Sequence, residues 1–154
     1  MEYGTIEREV RINASPATVF EVITSPEHLK EWWPDEAVLE ATPGAKGEFV
    51  FGDRSSGDAH IPRVTVVDAV PSRLFSFRWT HPEDEDAREG NSLLVTFELS
   101  ASGGGTLLRM TESGFREMGW EVAVLEHQYQ DHVEGWGHFL PRLVDYAATV
   151  EVAS

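Results

Sequence analysis

Three ionisable side chains stand where the surrounding pattern predicts apolar neighbours: Arg8, Glu112 and His132. Arg8 and Glu112 fall on the apolar faces of predicted strands that could be neighbours in one sheet. Because a buried charge must be paired, the two could form an ion pair, or they could anchor a carboxylate or hydroxyl group of a ligand. The simpler alternative is that both lie at strand ends, near water. Apart from these three residues, the sequence offers no candidate for polar chemistry inside the fold.

His132 belongs to a predicted helix over Trp120–Thr149, where it lies about 40° around the axis from Trp136, on the inward side. A lone inward histidine is either a core residue with its hydrogen bonds satisfied, or a ligand contact or acid/base group. His127 and His138 point outward, and the histidines lack the spacing of a helical metal site, so neither a metal nor a cofactor is expected. The sequence shows no nucleophile–base pair and no glycine-rich phosphate loop, which favours binding over catalysis.

An aromatic set surrounds these polar positions. Strand alternation over 73–80 places Phe75, Phe77 and Trp79 on one face, and neighbouring strands add further rings. These residues either fill a core or line an apolar cavity between sheet and helix. For the adjacent pair Trp32 and Trp33, helix geometry predicts that one enters the core and the other lies near the cavity mouth. The candidate ligand contacts are Trp32, Trp33, Phe49, Phe51, Phe75, Phe77, Trp79, Phe97, Met110, Tyr129, His132, Trp136 and Leu140.

The element that must position this set is the long C-terminal helix. Its apolar stripe recurs at spacings of three and four: Val122, Leu125, Tyr129, Val133, Trp136, Leu140, Leu143 and Ala147. Such a stripe needs a wide apolar partner, and the alternating strands that precede it supply one. Pro141 should kink the helix near Val133–Gly137 or divide it there.

The pattern before the helix predicts an α+β chain. After a first strand at Thr5–Ile12, Ser15-Pro16 and Ser25-Pro26 mark the starts of two short helices. The turn signals that follow predict a curved antiparallel sheet of about six to seven strands, wrapped around the C-terminal helix. A length of 154 residues fits one domain over 1–154.

Charge and composition restrict the partners. The net charge is −15, with only 12 Lys and Arg residues, so nucleic acid and anionic membranes are not expected partners. An acidic surface for a basic protein partner remains an alternative to a purely solubilising charge. The chain has no cysteine, no signal peptide pattern and no membrane-spanning run, which favours a cytoplasmic protein.

Six local motifs in register resemble those of a known family: Ala14-Ser-Pro-Ala-Thr-Val-Phe, Leu29-Lys-Glu-Trp-Trp-Pro, Gly47-Glu-Phe-Val-Phe, the hairpin over 67–79, Thr106–Phe115 with its Ser-Gly-Phe exit, and Gly135-Trp136 followed by Leu140 and Leu143. Together they resemble the START-like, Bet v 1-like helix-grip superfamily (SRPBCC) and, within it, the Hsp90-ATPase-activator-like (AHSA1-type) branch.

The resemblance implies a helix-grip fold and a small cytosolic protein. Such a protein would hold an apolar molecule, aromatic, acyl or polyketide-like, between the sheet and the C-terminal helix. Two other functions are found on the same fold: a co-chaperone-like, stress-related interaction module without ligand, and a cyclase- or hydrolase-type enzyme that uses the cavity. Fold alone does not choose among them. Monomer and homodimer are both open.

Overall fold

The computed structural model describes residues 4–80, 86–88 and 90–153. Within them the chain forms seven strands and three α-helices, with short 3-10 turns at Arg54–Ser56 and Arg116–Met118. The strands are β1 (Thr5–Ile12), β2 (Glu36–Val38), β3 (Lys46–Val50), β4 (Arg63–Val70), β5 (Leu74–Thr80), β6 (Ser92–Ser102) and β7 (Gly105–Ser113). The helices are α1 (Pro16–Thr24), α2 (Pro26–Trp32) and α3 (Val122–Ala153).

All seven strands belong to one antiparallel sheet in the order β1-β7-β6-β5-β4-β3-β2. Every pairing except that of β1 with β7 joins strands consecutive in the chain, as hairpins require. The sheet curves around α3 and buries one face, which confirms the predicted α+β helix-grip class. Its buried face is lined by Ile6, Ile12, Phe49, Val64, Val66, Phe75, Phe77, Leu93, Val95, Phe97, Leu108 and Met110.

The start of α1 is tied to the end of α3. Ser15 caps α1 as predicted, since its side chain accepts a hydrogen bond from the backbone N–H of Thr18 at 3.2 Å. The Glu151 carboxylate accepts from the backbone N–H of Ser15 at 3.1 Å and from the Thr18 hydroxyl. A negative charge at a helix N-terminus is favourable, so the Glu151 carboxylate stabilises the contact between the last turns of α3 and the start of α1.

We therefore expect Glu151→Ala to lower the free energy of unfolding by about 1 kcal/mol, because it leaves first-turn groups of α1 without an acceptor. Urea denaturation measures the change. Glu134→Ala, at an exposed position of the same helix, is the control and should shift the value by less than about 0.5 kcal/mol. Equal effects of the two substitutions would contradict the capping role.

Trp32 and Trp33 are both buried, with relative exposures of 0% and 6%, so the predicted difference in burial is absent, although Trp33 borders the cavity described below and Trp32 does not. That prediction assumed that both lie on a helix. The helix ends at Trp32, and Trp33 has φ −130° and ψ −97°, outside the helical region. The two rings stack at 5.5 Å, and the indole N–H of Trp32 donates to the Val22 carbonyl.

The long helix is buried along only part of its predicted stripe. Trp136, Leu140, Leu143 and Ala147 are buried, whereas Val122 is 73% exposed and the members between them are half-buried. The first turns of α3 are therefore less covered than the periodicity predicts, while Leu125, Tyr129 and Val133 still pack against the core. α3 is continuous through Pro141, so the alternative that this proline divides it is wrong.

The sequence Pro82-Glu-Asp-Glu-Asp is typical of an exposed acidic loop over 81–90, which lies largely outside the described residues. Its Asp86 is described and accepts a hydrogen bond from the Lys46 ammonium at 2.8 Å. The hydrogen bond and charge of Lys46 lower the pKa of Asp86. This contact places the C-terminal end of the loop beside β3.

Candidate functional site

Glu112 is a carboxylate on the buried sheet face, one residue before the end of β7. It lies on β7, directly opposite Ile6 of β1 on one side and Val95 of β6 on the other. Its relative exposure is 0%. A carboxylate in such a position costs several kcal/mol unless hydrogen bonds and opposite charge replace its hydration.

Three donors satisfy Glu112. The indole N–H of Trp79 donates to Oε2 at 2.9 Å, and that of Trp136 donates to Oε1 at 2.9 Å. His132 places Nδ1 at 2.9 Å from Oε1 and 3.0 Å from Oε2. Because an ionised carboxylate only accepts, Nδ1 of His132 carries a hydrogen and donates. The sheet and the helix are therefore joined by a buried polar cluster, which we call the Glu112 cluster: Glu112, Trp79, His132 and Trp136.

The sequence-based interpretations of Arg8 and Glu112 need correction. Glu112 is paired with His132 and not with Arg8, and it does not lie near water. Arg8 of β1 is opposite Met110 of β7, but the Arg8 side chain is exposed and its guanidinium donates to the Glu7 carbonyl at 2.7 Å. The long arginine side chain reaches solvent, whereas the shorter glutamate is enclosed by rings.

The His132 ring is held between two aromatic rings. The centroid of Trp79 lies 5.6 Å away, and that of Phe115 lies 5.4 Å away, both nearly perpendicular to the imidazole. Phe115 is fully buried and reaches this position because Gly114, with φ +103°, turns the chain sharply after β7. Only 19% of the His132 side chain is exposed.

Two opposing effects set the pKa of His132. Burial lowers it, but the charge and hydrogen bond of Glu112, aided by the charge of Asp131, outweigh burial and raise the pKa above the ordinary value of about 6.5. A raised pKa in the folded state means that protonation stabilises the fold. This stabilisation is fully present below the unfolded-state pKa of about 6.5 and is lost as pH rises through the folded-state pKa.

We expect a matching pH dependence of stability. From about pH 6 upward, the free energy of unfolding of the unmodified protein should fall relative to that of His132→Asn, because only the former loses a bound proton on this cluster. Chemical denaturation at a series of pH values measures the difference. His127→Asn, at an exposed position of the same helix, should track the unmodified protein. A difference between His132→Asn and the unmodified protein that does not change with pH would contradict the charged pair.

A cavity of about 350 Å³ opens next to the Glu112 cluster, between β5, the neighbouring loops and the N-terminal half of α3. This volume lies at the lower end of the range of small-molecule sites. The wall is mostly aromatic, with polar groups from α3 at one side. The lining residues are Trp33, Phe51, His60, Trp79, Thr80, Leu93, Gln128, Asp131, His132, Gly135, Trp136 and Phe139.

Trp33 is the centre of the aromatic wall. Its ring lies 5.1 Å from Trp136 and 5.2 Å from Trp79. It also lies 5.1 Å from Phe49 and 6.1 Å from Phe51. Edge-on and tilted contacts of this kind stabilise aromatic clusters beyond the burial of area. Because the helical conformation of α2 ends before Trp33, the indole of Trp33 contacts both the sheet and α3.

The structure divides the predicted contact set in two. Five members line the cavity: Trp33, Phe51, Trp79, His132 and Trp136. The others do not line it: Trp32, Phe49, Phe75, Phe77, Phe97, Met110 and Leu140 are buried in the core, and Tyr129 donates its hydroxyl to the Thr5 carbonyl at 3.0 Å. The core residues lie deeper in the fold, where neighbouring rings such as Phe77 and Phe97 pack against one another at 6.4 Å.

Seven lining residues were not predicted: His60, Thr80, Leu93, Gln128, Asp131, Gly135 and Phe139. A signal for three of them was present, since Gln128, Gly135 and Phe139 lie four residues before, three after and seven after His132, on one helix face. Thr80 was placed on the outer face of its strand, but it is buried at the strand end and accepts from the Arg63 N–H at 2.9 Å. His60 lies at the cavity because it pairs with Phe51 in an isolated antiparallel β-bridge, which no local sequence pattern indicates.

The described residues contain no group of three or more His, Asp or Glu side chains that could hold a metal ion. Glu112 and His132 are instead a closed pair with two indole donors. The arrangement can bind an apolar ring against the aromatic wall and can offer the imidazole as a polar contact.

Comparison with known proteins identifies the fold family. The family described as Activator of Hsp90 ATPase homolog 1-like protein matches residues 13–148, which is most of the chain. The chain belongs to this family. The resemblance found in the sequence is thereby confirmed, and so is the placement in the SRPBCC superfamily. Among curated proteins, no sequence matches the chain significantly.

Solved structures of similar fold include a protein from Mesorhizobium loti, with a TM-score of 0.75 and 21% identity, over 92% of this chain and 95% of that one. The Aha1 dimer of Colwellia psychrerythraea has a TM-score of 0.69 and 21% identity, over 94% and 96% of the two chains. A putative protein in the dynemicin biosynthetic locus has a TM-score of 0.69 and 22% identity, over 96% of this chain and 48% of that one.

These identities show a shared fold and no more. In the described part of this family member, no helix has both the length and the apolar character needed to span a membrane.

Proposed function

We propose that this family member binds an apolar small molecule with an aromatic or acyl body in the cavity beside the Glu112 cluster. The observation that carries the proposal is the open, aromatic-walled space under the N-terminal half of α3. Deeper under the same helix, rings such as Phe75, Phe77 and Phe97 are fully buried in the core. An apolar wall with a few placed polar groups is the ordinary composition of a ligand site.

The chemistry of the wall narrows the ligand. Trp33, Phe51, Trp79, Trp136 and Phe139 present ring faces and edges, which favour a flat unsaturated ligand over a branched aliphatic one. The cavity of about 350 Å³ holds one or two fused rings rather than a long lipid chain. One structure of similar fold is a putative protein in the dynemicin biosynthetic locus, which is compatible with a natural-product ligand.

The alternatives have less support. An interaction module without ligand predicts a filled core, whereas the space beside His132 is open. The same cavity would serve an enzyme of the cyclase or hydrolase type, but its described lining includes neither serine nor cysteine, and the Thr80 hydroxyl accepts a backbone hydrogen bond. One relative was solved as a dimer; for this chain, monomer and homodimer both stay predictions.

A titration with naphthyl, indolyl and medium-chain acyl compounds tests the proposal, read by the NMR signals of the indole N–H groups. The chain provides its own controls among its five tryptophans. A ligand in the cavity should shift the signals of Trp33, Trp79 and Trp136 and leave those of Trp32 and Trp120, which do not line it. No shift with any compound up to its solubility limit would contradict the proposal.

A further inference from the structure

One edge of the His132 imidazole is left for a ligand. Nδ1 is occupied by Glu112, whereas Nε2 has no hydrogen-bond partner among the described residues. His132 lines the cavity and keeps 19% of its side chain exposed, so the part of the ring turned away from Glu112 borders the open space. Among the described residues no buried side-chain nitrogen or oxygen lacks a partner, so Nε2 is accessible from the open space, and a ligand acceptor there can take the place of water.

The hydrogen bonds of the Glu112 cluster determine whether Nε2 of His132 offers the ligand a donor or an acceptor. Both carboxylate oxygens accept from indole N–H groups and from Nδ1, so Glu112 holds the hydrogen on Nδ1. Protonation of His132 then adds its hydrogen at Nε2. In the charged state the ring therefore presents a donor to the cavity, and a hydrogen bond from a charged donor is stronger than one between neutral groups.

The charges around His132 restrict the ligand further. Glu112 of β7 and Asp131 of α3 are the carboxylates that face it, and His60 borders the same cavity from the loop before β4. An anionic ligand beside protonated His132 would meet one positive and two negative charges, and this net negative surrounding is unfavourable in a partly buried site. A neutral ligand with an acceptor oxygen meets no such penalty.

We propose that the Nε2–H of His132 is the polar anchor of the cavity and that its ligands are neutral aromatic carbonyl compounds, whose ketone or aldehyde oxygen accepts this hydrogen bond. This inference rests on the proposed function, since it names the ligand class of the same cavity. The aromatic body lies against the tryptophan wall, and the carbonyl points to the imidazole.

Ligand affinity is then linked to the proton on His132. Above the pKa of His132 the ring loses the hydrogen at Nε2 and presents a lone pair to the carbonyl oxygen, which is repulsive. Carbonyl ligands should therefore bind more weakly as pH rises through that pKa, while ligands without an acceptor should be indifferent to it. Since Glu112 raises the pKa of His132, the charged donor persists to higher pH than on an ordinary histidine.

Two isosteric probes test the anchor: methyl 2-naphthyl ketone and 2-isopropenylnaphthalene, which differ in a carbonyl oxygen against a methylene group. We expect the ketone to bind about tenfold more tightly at about pH 6. This preference should disappear with the same midpoint as the NMR titration of His132. It should also be lost in His132→Gln, whose amide can still donate to Glu112, and be kept in His60→Gln.

The outcomes separate the two proposals. If neither probe binds, the anchor fails, and the proposed function fails with it only when the indolyl and acyl compounds also leave the indole signals unshifted. If both probes bind equally tightly at every pH, the cavity binds ligands and the anchor is wrong. A preference for the ketone that survives high pH, or that His60→Gln removes and His132→Gln does not, would also overturn the assignment to His132.

Discussion

Replacing Glu112 with alanine should lower the free energy of unfolding by about 3–5 kcal/mol, the range found when one partner of a buried charged pair is removed. The substitution leaves the indole N–H groups of Trp79 and Trp136 and the imidazole of His132 without their acceptor. The loss would be a large fraction of the stability of a domain of this size.

Two further variants show where the effect comes from. Glu112→Gln keeps the volume but replaces one acceptor oxygen by a donor, which faces donors on every side, so it should also destabilise, though less than alanine. Glu9→Ala on the neighbouring strand removes an exposed carboxylate that pairs with Arg109 at 3.3 Å, and should cost less than about 1 kcal/mol. A loss below 1 kcal/mol for Glu112→Ala in urea denaturation would contradict the structural role of the cluster.

Filling the cavity from α3 should abolish ligand binding and spare the fold. Gly135 lines the cavity, and a Cβ added there meets nothing within 4 Å. Gly135→Leu therefore places a side chain in the ligand space from a position where its Cβ is unobstructed. We expect at least about a tenfold loss of affinity for any naphthyl ligand of the protein, equivalent to about 1.4 kcal/mol. Stability should be unchanged or higher, since glycine is unfavourable inside a helix by about 0.5–1 kcal/mol.

Gly137→Leu is the matched control. It changes the same residue type on the same helix, two positions away, at an exposed site where an added Cβ also meets nothing within 4 Å. Both variants should gain similar helix stability, and only Gly135→Leu should lose affinity in calorimetric titration. Unchanged affinity in Gly135→Leu would place the ligand elsewhere on the molecule.

The overall fold could be predicted from the sequence more completely than the candidate site. Alternation over Phe75–Trp79 and the periodicity of α3 come from repeated apolar positions, which report the period of the backbone directly. The pairing of Glu112 does not follow from such a period, because its donors come from side chains 20–33 residues away in the chain. The prediction looked for an opposite charge, whereas two indole N–H groups supply most of the hydrogen bonds.

The position of the cavity was also beyond the sequence. Phe77 and Trp79 sit on the same strand face, yet one is buried in the core and the other borders open space. The difference depends on which rings from other elements reach each place, above all on Trp33 leaving the helical path after α2. Periodicity gives the face of a residue but not the amount of space in front of it.

We expect a ligand to lie between the aromatic wall and the N-terminal half of α3. Intermolecular NOEs between isotope-labelled protein and a saturating unlabelled naphthyl ligand test this position most directly. They should connect the ligand to the side chains of Trp33, Trp79 and Trp136. NOEs confined to exposed residues such as Val122 and Val124 at the start of α3, with none to those three rings, would contradict it.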